Sequence, residues 1–310
     1  MSKNLSKNIL KTVCYYDVLN YPLTLFEIWK YLVEMENLNE NEAKEYSLSE
    51  VLRELTDNNN LKAFIKSKNG FYFLKGRDDL VEKRIKKDKI SVRKIKRLRK
   101  WVYILRMVPF VRAIFITGRL AMKNAHPSSD WDILVILKRG RIWIGRTALT
   151  LATHLLLKRR YRHKTQDRFC LNYFITDNSL EIRNKDLFSA SEYSFCFPIF
   201  DSGDFFKKFQ LKNGWIKKYK PNYFPSEVKH LKCISDTPSA KRIRNFLENI
   251  LNSDSLEKYL RKIELRKIKQ NPKTSQTNSF IVADDDALIF LPDPQGPKIF
   301  EKFKENIAKL

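Results

Sequence analysis

The sequence predicts an α+β fold in which a small mixed sheet lies between helical regions. A buried-strand pattern at 113–117 stops at a glycine and is followed, after a polar connector, by Asp-Trp-Asp and a second apolar run to Leu137. Amphipathic patterns with helix-capping signals precede this stretch, and basic amphipathic patterns follow it. We expect a helical domain with a hairpin at 1–78, a basic connector helix at 79–108, the mixed-sheet core at 109–185 and a mainly helical region at 186–310.

The composition is that of a strongly basic globular chain. With 310 residues, 43% of them hydrophobic, the chain can bury an ordinary core, and its length suggests two or three domains. The formal net charge of +25 attracts nucleic acid, nucleotides or anionic membranes. The same charge also fits a drift in composition, because the chain is rich in Lys and Asn and holds only 8 glycines. Net charge alone therefore does not decide the function.

The targeting signals favour a cytoplasmic protein that does not enter a membrane. The N-terminus is polar and lacks the apolar core of a signal peptide. The longest apolar run, 142–157, is too short to span a bilayer and is broken by Arg146 and His154. The 4 cysteines lack paired spacing, so we expect them to be reduced and buried.

The first 78 residues predict three helices followed by a β-hairpin. Thr24 and Ser47 each precede a glutamate by three positions, which is the capping-box pattern of a helix start. Asn69-Gly70 is typical of a tight hairpin turn. This order of elements resembles the winged-helix family, which implies nucleic-acid binding by the third helix. Its acidic and mixed composition leaves a protein-docking or purely structural role open. We expect helices ending near residue 19, at 25–35 and at 48–58, and strands at 61–67 and 71–74.

A heavy run of basic residues lies between 83 and 100, with Asp88 as its only acid. Apolar residues recur every three or four positions from Val92 to Leu105, which predicts an amphipathic helix with a packed face and a cationic outer face. One interpretation is a solvated connector. The other is a surface that contacts the phosphate backbone of nucleic acid, with an affinity that falls as salt rises.

Two acidic residues in the central stretch predict a cation site. Because side chains alternate along a strand, Asp130 and Asp132 face one side and Trp131 faces the core. Mg²⁺ is held by one or two protein carboxylates and keeps its other positions for water and substrate phosphate. Gly118 ends the first strand, where a missing Cβ permits a sharp turn and lets a phosphate approach the backbone. A short helix at 119–125 then presents free N–H groups to the anion.

This stretch resembles the signature of the polymerase-beta-like nucleotidyltransferase superfamily, in which a glycine and a small residue are followed by a connector and by Asp, an apolar residue and a second acid. The resemblance covers about 105–185. It implies one or two Mg²⁺ ions, an NTP that we expect to be ATP, and transfer of a nucleoside monophosphate to a hydroxyl of a protein, an RNA end or a small molecule. The residues it implies are Asp130 and Asp132 as catalytic metal ligands, and Gly118, Arg119, Ser129 and Asn172 as nucleotide-binding residues.

Two positions depart from the superfamily pattern. Arg119 stands where a small residue is usual, so it either crowds the nucleotide or binds its phosphates. The third carboxylate of the superfamily comes from a later strand, here 169–175, whose best-placed polar residue is Asn172. Asp167 and Asp177, at the ends of this strand, have the opposite parity. A neutral amide weakens metal binding, so the alternative is a catalytically impaired regulator that binds nucleotide or nucleic acid.

The remaining segments carry no chemical motif. A helix at 142–158 and a basic loop at 158–164 lead to the third strand. The acids Asp284–Asp286 are adjacent and cannot share one face, so they predict a turn. Beyond residue 186 we expect basic helices at 241–251 and 256–269, a polar loop at 270–279 and a last helix at 297–310.

Overall fold

The computed structural model describes residues 3–35, 45–161, 163–225, 232–274, 276 and 278–310, and it has mixed α and β structure with two sheets. The helices are α1 (Lys3–Val18), α2 (Leu25–Lys30), α3 (Leu48–Asp57), α4 (Asn59–Phe64), α5 (Asp79–Leu105), α6 (Gly118–Ala121), α7 (Ile142–Leu155), α8 (Leu187–Phe195), α9 (Phe205–Lys212), α10 (Pro238–Leu251), α11 (Asp254–Gln270) and α12 (Gln295–Ile307). The strands are β1 (Leu23–Thr24), β2 (Ile65–Lys68), β3 (Phe71–Leu74), β4 (Val111–Ile116), β5 (Trp131–Leu137), β6 (Phe169–Thr176), β7 (Phe197–Asp201), β8 (Phe280–Ala283) and β9 (Ala287–Leu291).

The N-terminal region combines α1–α4 with a sheet of order β1-β3-β2. Both predicted capping boxes are present, because the hydroxyls of Thr24 and Ser47 accept from the third helical N–H and the glutamate side chain accepts from the cap N–H. The hairpin turn also forms as predicted: Asn69 and Gly70 have φ of 52° and 76°, the left-handed conformation of a two-residue turn.

Two boundaries in this region differ from the prediction. Helix α2 ends at Lys30 instead of residue 35. The start of the predicted strand 61–67 is helical, because Asn58 caps the extra helix α4 by accepting from the N–H groups of Asn60 and Leu61. The strand therefore begins only at Ile65.

The central sheet has six strands in the order β7-β4-β5-β6-β9-β8. Strands β5 and β6 are parallel, and the other neighbouring pairs are antiparallel. Along β5, Ile133 and Val135 pack into one core with α5, whereas Leu134 and Ile136 pack into a second core on the other face. Because β7, β8 and β9 come from beyond residue 185, the sheet extends across the boundary predicted there.

The basic helix α5 packs through its apolar face as predicted, with Ile95 and Leu98 buried. The prediction that its cations all lie outside was wrong for two of them. Buried Lys94 donates from Nζ to the Ser129 carbonyl and to Asp167, at 2.8 Å each. Buried Arg84 pairs with Glu27 at 2.8 Å. These two cations therefore anchor the helix to its neighbours.

The later elements support the sheet from its flanks. Helix α11 packs against α7, and α12 packs against α1 and α8. Asp284 closes the predicted turn between β8 and β9 by accepting from the N–H groups of Asp286 and Ala287. Residues 275 and 277 of the predicted loop, and Arg162 of the basic loop, lie outside the described residues. Among the described helices, none is both long and apolar enough to cross a bilayer.

Candidate functional site

The start of β5 brings Asp130 and Asp132 together. The Trp131 N–H donates to the Arg168 carbonyl at 2.8 Å, and its fully buried ring packs edge-on against Phe169 with centroids 5.0 Å apart. Because the indole is fixed in the core, its two acidic neighbours turn to the other face. Ligand atoms of Asp130, Asp132 and Cys170 all lie within 4.8 Å of one another. The juxtaposition of the acids expected from the Asp-x-Asp spacing is therefore present.

Gly118 lies directly against Asp132. Its φ is +60°, a conformation that disfavours any residue with a Cβ. A Cβ built on Gly118 would meet Asp132 Oδ2 at 2.8 Å, which is closer than real Cβ atoms approach. The N–H of Thr117 also donates to the Asp132 carbonyl at 3.1 Å, which ties the end of β4 to the start of β5. Glycine is therefore needed here both for the turn and for space beside the carboxylate.

A third carboxyl group, Glu192, joins the site from α8. Helix α8, which carries it, packs against α6, and the charge of Glu192 interacts with that of Asp132. Burial, and then the negative charge of Asp132, raise the pKa of Glu192 to about 8. Sequence patterns alone did not identify this residue. A signal was present, since Glu192 is the only acid in a run of small and aromatic residues at 189–195. A charged residue within a run that packs into a core is rare and indicates a candidate functional residue.

The carboxyl groups disfavour each other's ionisation. Burial, and then the neighbouring charge of Asp130, raise the pKa of Asp132 to about 7, although Arg160 acts in the opposite direction. Within the described residues, no salt bridge joins a lysine or arginine to Asp132 or Glu192. The site thus holds more acidic groups than its own cations neutralise.

The strand β6 contributes Cys170 at the position opposite Asp132. The parallel register pairs Asp132 with Cys170 and, after an irregularity, Leu134 with Tyr173. Asn172, the predicted occupant of the third position, is half-buried within this irregularity and is not the register partner of Asp132. Burial raises the pKa of Cys170 to about 12, so its thiol stays protonated at neutral pH.

Asp167 and Asp177, at the two ends of β6, have structural contacts. Asp167 pairs with Lys94 at 2.8 Å and with Arg97 at 2.7 Å. Asp177 accepts from the Arg139 N–H at 2.9 Å, beyond the far end of the strand. Neither belongs to the carboxylate cluster described above.

Arg160, a residue that no sequence motif singled out, contacts the cluster. Its Nη1 lies 2.7 Å from Asp130 Oδ2 and 3.4 Å from Cys170 Sγ. The Arg160 side chain is 48% exposed, whereas that of Asp130 is 18% exposed. The Arg160 N–H donates to the Phe169 carbonyl at 3.1 Å, which holds its backbone beside β6.

The other two predicted nucleotide-binding residues lie next to the cluster. Arg119 follows Gly118 on α6 and is exposed. Ser129 accepts at Oγ from the His126 N–H at 3.0 Å and at its carbonyl from Lys94 at 2.8 Å. These contacts hold the turn that precedes Asp130.

Comparison of the chain with protein-family models, with curated protein sequences and with solved structures found no match. The geometry of the carboxyl groups is therefore the basis for a functional conclusion.

Proposed function

We propose that this protein is a Mg²⁺-dependent nucleotidyltransferase that transfers a nucleoside monophosphate from an NTP, expected to be ATP, to an acceptor hydroxyl. The observation that carries the proposal is the pairing of Asp130 and Asp132, whose ligand atoms lie within 4.8 Å of each other, with Gly118 directly against Asp132. Grouped carboxylates of raised pKa are unfavourable unless a cation or a proton shared with a substrate relieves them.

The donor atoms suit a hard cation. Carboxylate oxygens of Asp130 and Asp132 are the ligands that Mg²⁺ prefers, whereas the protonated thiol of Cys170 is a poor ligand for it. When bound there, one or two such ions would neutralise the phosphate charge and stabilise the negative charge that develops during transfer. Glu192, whose charge interacts with that of Asp132, is the nearby third carboxyl group.

In the proposed reaction, the acceptor oxygen forms a bond to the α-phosphorus and the bond from that phosphorus to the bridging β-phosphate oxygen breaks. Pyrophosphate leaves with the bonding electron pair, and the acceptor proton passes to a carboxylate. Glu192 is the candidate acceptor of that proton, because it is a third carboxyl group whose charge interacts with that of Asp132. Arg119, exposed beside the cluster, supplies positive charge to the phosphates.

The architecture supports the same proposal. The succession β4, α6, β5, α7 and β6 follows the strand and helix order expected for a nucleotidyltransferase core. The element order α1, β1, α2, α3, α4, β2 and β3, with the sheet order β1-β3-β2, resembles a winged helix. We therefore propose a nucleotidyltransferase-like core with a winged-helix-like N-terminal domain.

The test is pyrophosphate release from each of the four common NTPs with Mg²⁺, in the presence of RNA and of small hydroxyl compounds as acceptors. The double variant Asp130→Asn/Asp132→Asn and the single variant Glu192→Gln should each reduce turnover by about a hundredfold or more. Asp254→Asn, an acid 78% exposed on α11, is the control and should retain it. Turnover in the double variant equal to that of the wild type would contradict the proposal.

A second function, nucleic-acid binding by a catalytically impaired regulator, is favoured by the outer face of α5. Its exposed basic residues are Lys83, Lys86, Lys89, Arg93, Lys96, Arg97, Arg99 and Lys100. A surface of this kind binds phosphate backbones with release of counterions.

Fluorescence anisotropy with duplex DNA over a range of salt concentrations tests this second function. Lys89→Gln/Arg93→Gln/Lys96→Gln should make the negative slope of log affinity against log salt shallower by about 0.9 for each phosphate that the protein no longer neutralises. Lys258→Gln/Lys262→Gln/Arg266→Gln on α11 removes equal charge elsewhere and is the control. Equal slopes for both triple variants would exclude α5 as the binding surface.

A further inference from the structure

The Arg160 guanidinium forms an ion pair with Asp130, one of the two ligands of the proposed cation. Its Nη1 lies 2.7 Å from Asp130 Oδ2, and the same nitrogen lies 3.4 Å from the Cys170 thiol. We infer, on the basis of the proposed function, that the Arg160 side chain pairs with Asp130 while no cation is bound. When the cation and the nucleotide bind, the side chain moves to the phosphates of the nucleotide. Arg160 is thus a positioning and phosphate-binding residue that competes with the cation.

The competition follows from the geometry of Asp130. The guanidinium at 2.7 Å from Asp130 Oδ2 already neutralises this carboxylate, so a cation that bound the same carboxylate would lie close to a second positive charge. Two positive charges within a few ångströms also repel each other strongly in a half-buried site. Arrival of the cation therefore expels the guanidinium from this oxygen.

The side chain of Arg160 is free to leave. It is 48% exposed, so its departure uncovers little apolar surface. Its backbone stays in place, because the Arg160 N–H donates to the Phe169 carbonyl at 3.1 Å and the adjacent Arg159 forms a bridge with Phe169. Movement is thus confined to the side-chain torsions, while the pivot stays fixed beside β6.

The destination of the guanidinium is set by charge and shape. A nucleotide brings its triphosphate to the cation, and a guanidinium binds phosphate oxygens through two parallel N–H groups. Arg160 is anchored next to the carboxylates, so phosphates held by the cation lie within the reach of its side chain. The anion replaces Asp130 as its partner, and the positive charge remains paired throughout.

Binding of Mn²⁺ followed by electron paramagnetic resonance of the free ion tests this inference without catalysis. Arg160→Gln should bind Mn²⁺ alone about three- to tenfold more tightly than the wild type, because the competing guanidinium is gone. At saturating Mn²⁺, the same variant should bind α,β-methylene-ATP about tenfold more weakly, because a charge-assisted hydrogen bond to phosphate is removed. The two affinities therefore change in opposite directions.

Arg159→Gln is the matched control. It removes the same charge from the adjacent position, which is also exposed, and it leaves the Arg160–Asp130 pair intact. Both of its affinities should stay within about twofold of the wild-type values, since exposed charges interact weakly through water. Thermal unfolding of each variant checks that the fold is retained.

The outcomes separate this inference from the proposed function. If Asp130→Asn/Asp132→Asn no longer binds Mn²⁺ but Arg160→Gln binds it no more tightly than Arg159→Gln does, the cation site stands and the competition is refuted. If Arg160→Gln binds Mn²⁺ more tightly with unchanged nucleotide affinity, the move to phosphate is refuted. If the wild type and the double aspartate variant bind Mn²⁺ equally, the cation site itself fails.

Discussion

The two ends of β4 hold carboxylates in opposite electrostatic settings. Near its start, Glu248 accepts from Arg112 at 2.7 and 3.0 Å and from the Phe110 N–H at 2.8 Å. Burial alone would raise the pKa of Glu248, but these hydrogen bonds lower it below its ordinary value. Near the end of β4, burial and like charge raise the pKa values of Asp132 and Glu192 instead. Glu248 thus has an arginine as its ion-pair partner, whereas at the other end Arg160 pairs with Asp130 and not with Asp132 or Glu192.

Other buried charges of the protein follow the pattern of Glu248. Arg244 pairs with Asp236 at 2.6 Å, and Lys94 pairs with Asp167 at 2.8 Å. Each of these two buried cations has an acidic partner, whereas buried Lys220 donates to the Tyr16 hydroxyl and to the Tyr31 carbonyl. We propose that the incomplete neutralisation of Asp132 and Glu192 serves an external cation, in contrast to the structural ion pairs.

The largest expected effect is a difference in the free energy of unfolding between variants at the two ends of β4. Glu248→Gln should lower the free energy of unfolding by about 3 kcal/mol, because it leaves Arg112 without its partner in a largely buried position. Asp132→Asn should leave that free energy unchanged or raise it, because it removes a charge that its neighbours disfavour. Urea denaturation of both variants measures the difference. Equal decreases in stability would remove the contrast between the two ends of β4.

A second prediction concerns the dependence of stability on pH. Because the folded-state pKa of Glu192 is about 8 against an ordinary value of 4.5, the folded protein keeps a proton that the unfolded chain has lost between these values. Stability should therefore fall as pH rises from about 4.5 to about 8, by up to about 1.4 kcal/mol per pH unit for each such proton. Urea denaturation at a series of pH values measures this slope.

A variant of Glu192 tests whether this carboxyl group produces the slope of stability against pH. Glu192→Gln should flatten it over this range. Glu248 should contribute a pH dependence of the opposite sign. Its pKa is lowered in the folded protein, so the stability that it contributes is lost only as pH falls below its ordinary pKa of 4.5. An unchanged slope between pH 4.5 and 8 in Glu192→Gln would show that Glu192 is not the group that retains the proton.

The smallest expected effect tests how closely Gly118 approaches the Asp132 side chain. Gly118→Ala and Gly140→Ala share the cost of a Cβ at positive φ, +60° and +70°, which is about 1 kcal/mol. Only at Gly118 would the Cβ also meet Asp132 Oδ2, at 2.8 Å, whereas nothing lies within 4 Å at Gly140. Thermal and urea unfolding should show the Gly118 variant less stable than the Gly140 variant by about a further 1 kcal/mol. Equal destabilisation would mean that the site has room beside Asp132.

Local patterns in the sequence predicted the local features of the fold. The capping boxes at Thr24 and Ser47, the Asn69-Gly70 turn and the parity of Asp130 and Asp132 depend only on nearby residues, and each is present. These signals are readable because they rest on backbone geometry that few residue types satisfy.

The features that were missed depend on contacts between distant segments. Glu192 lies about seventy residues beyond Gly118 in the chain, and only the packing of α8 against α6 brings them together. Burial of Lys94 follows from its partner Asp167 on another segment. The register irregularity that follows the Asp132–Cys170 pair, and leaves Asn172 out of the paired register, likewise has no counterpart in a one-dimensional pattern.

The most direct test of the proposed cation site is an anomalous-difference map from crystals grown with Mn²⁺. We expect a peak about 2.2 Å from carboxylate oxygens of both Asp130 and Asp132, with the Arg160 guanidinium withdrawn from Asp130. A map without a peak at these carboxylates, in which Arg160 still contacts Asp130 at 2.7 Å, would contradict the cation site and the movement of Arg160 together.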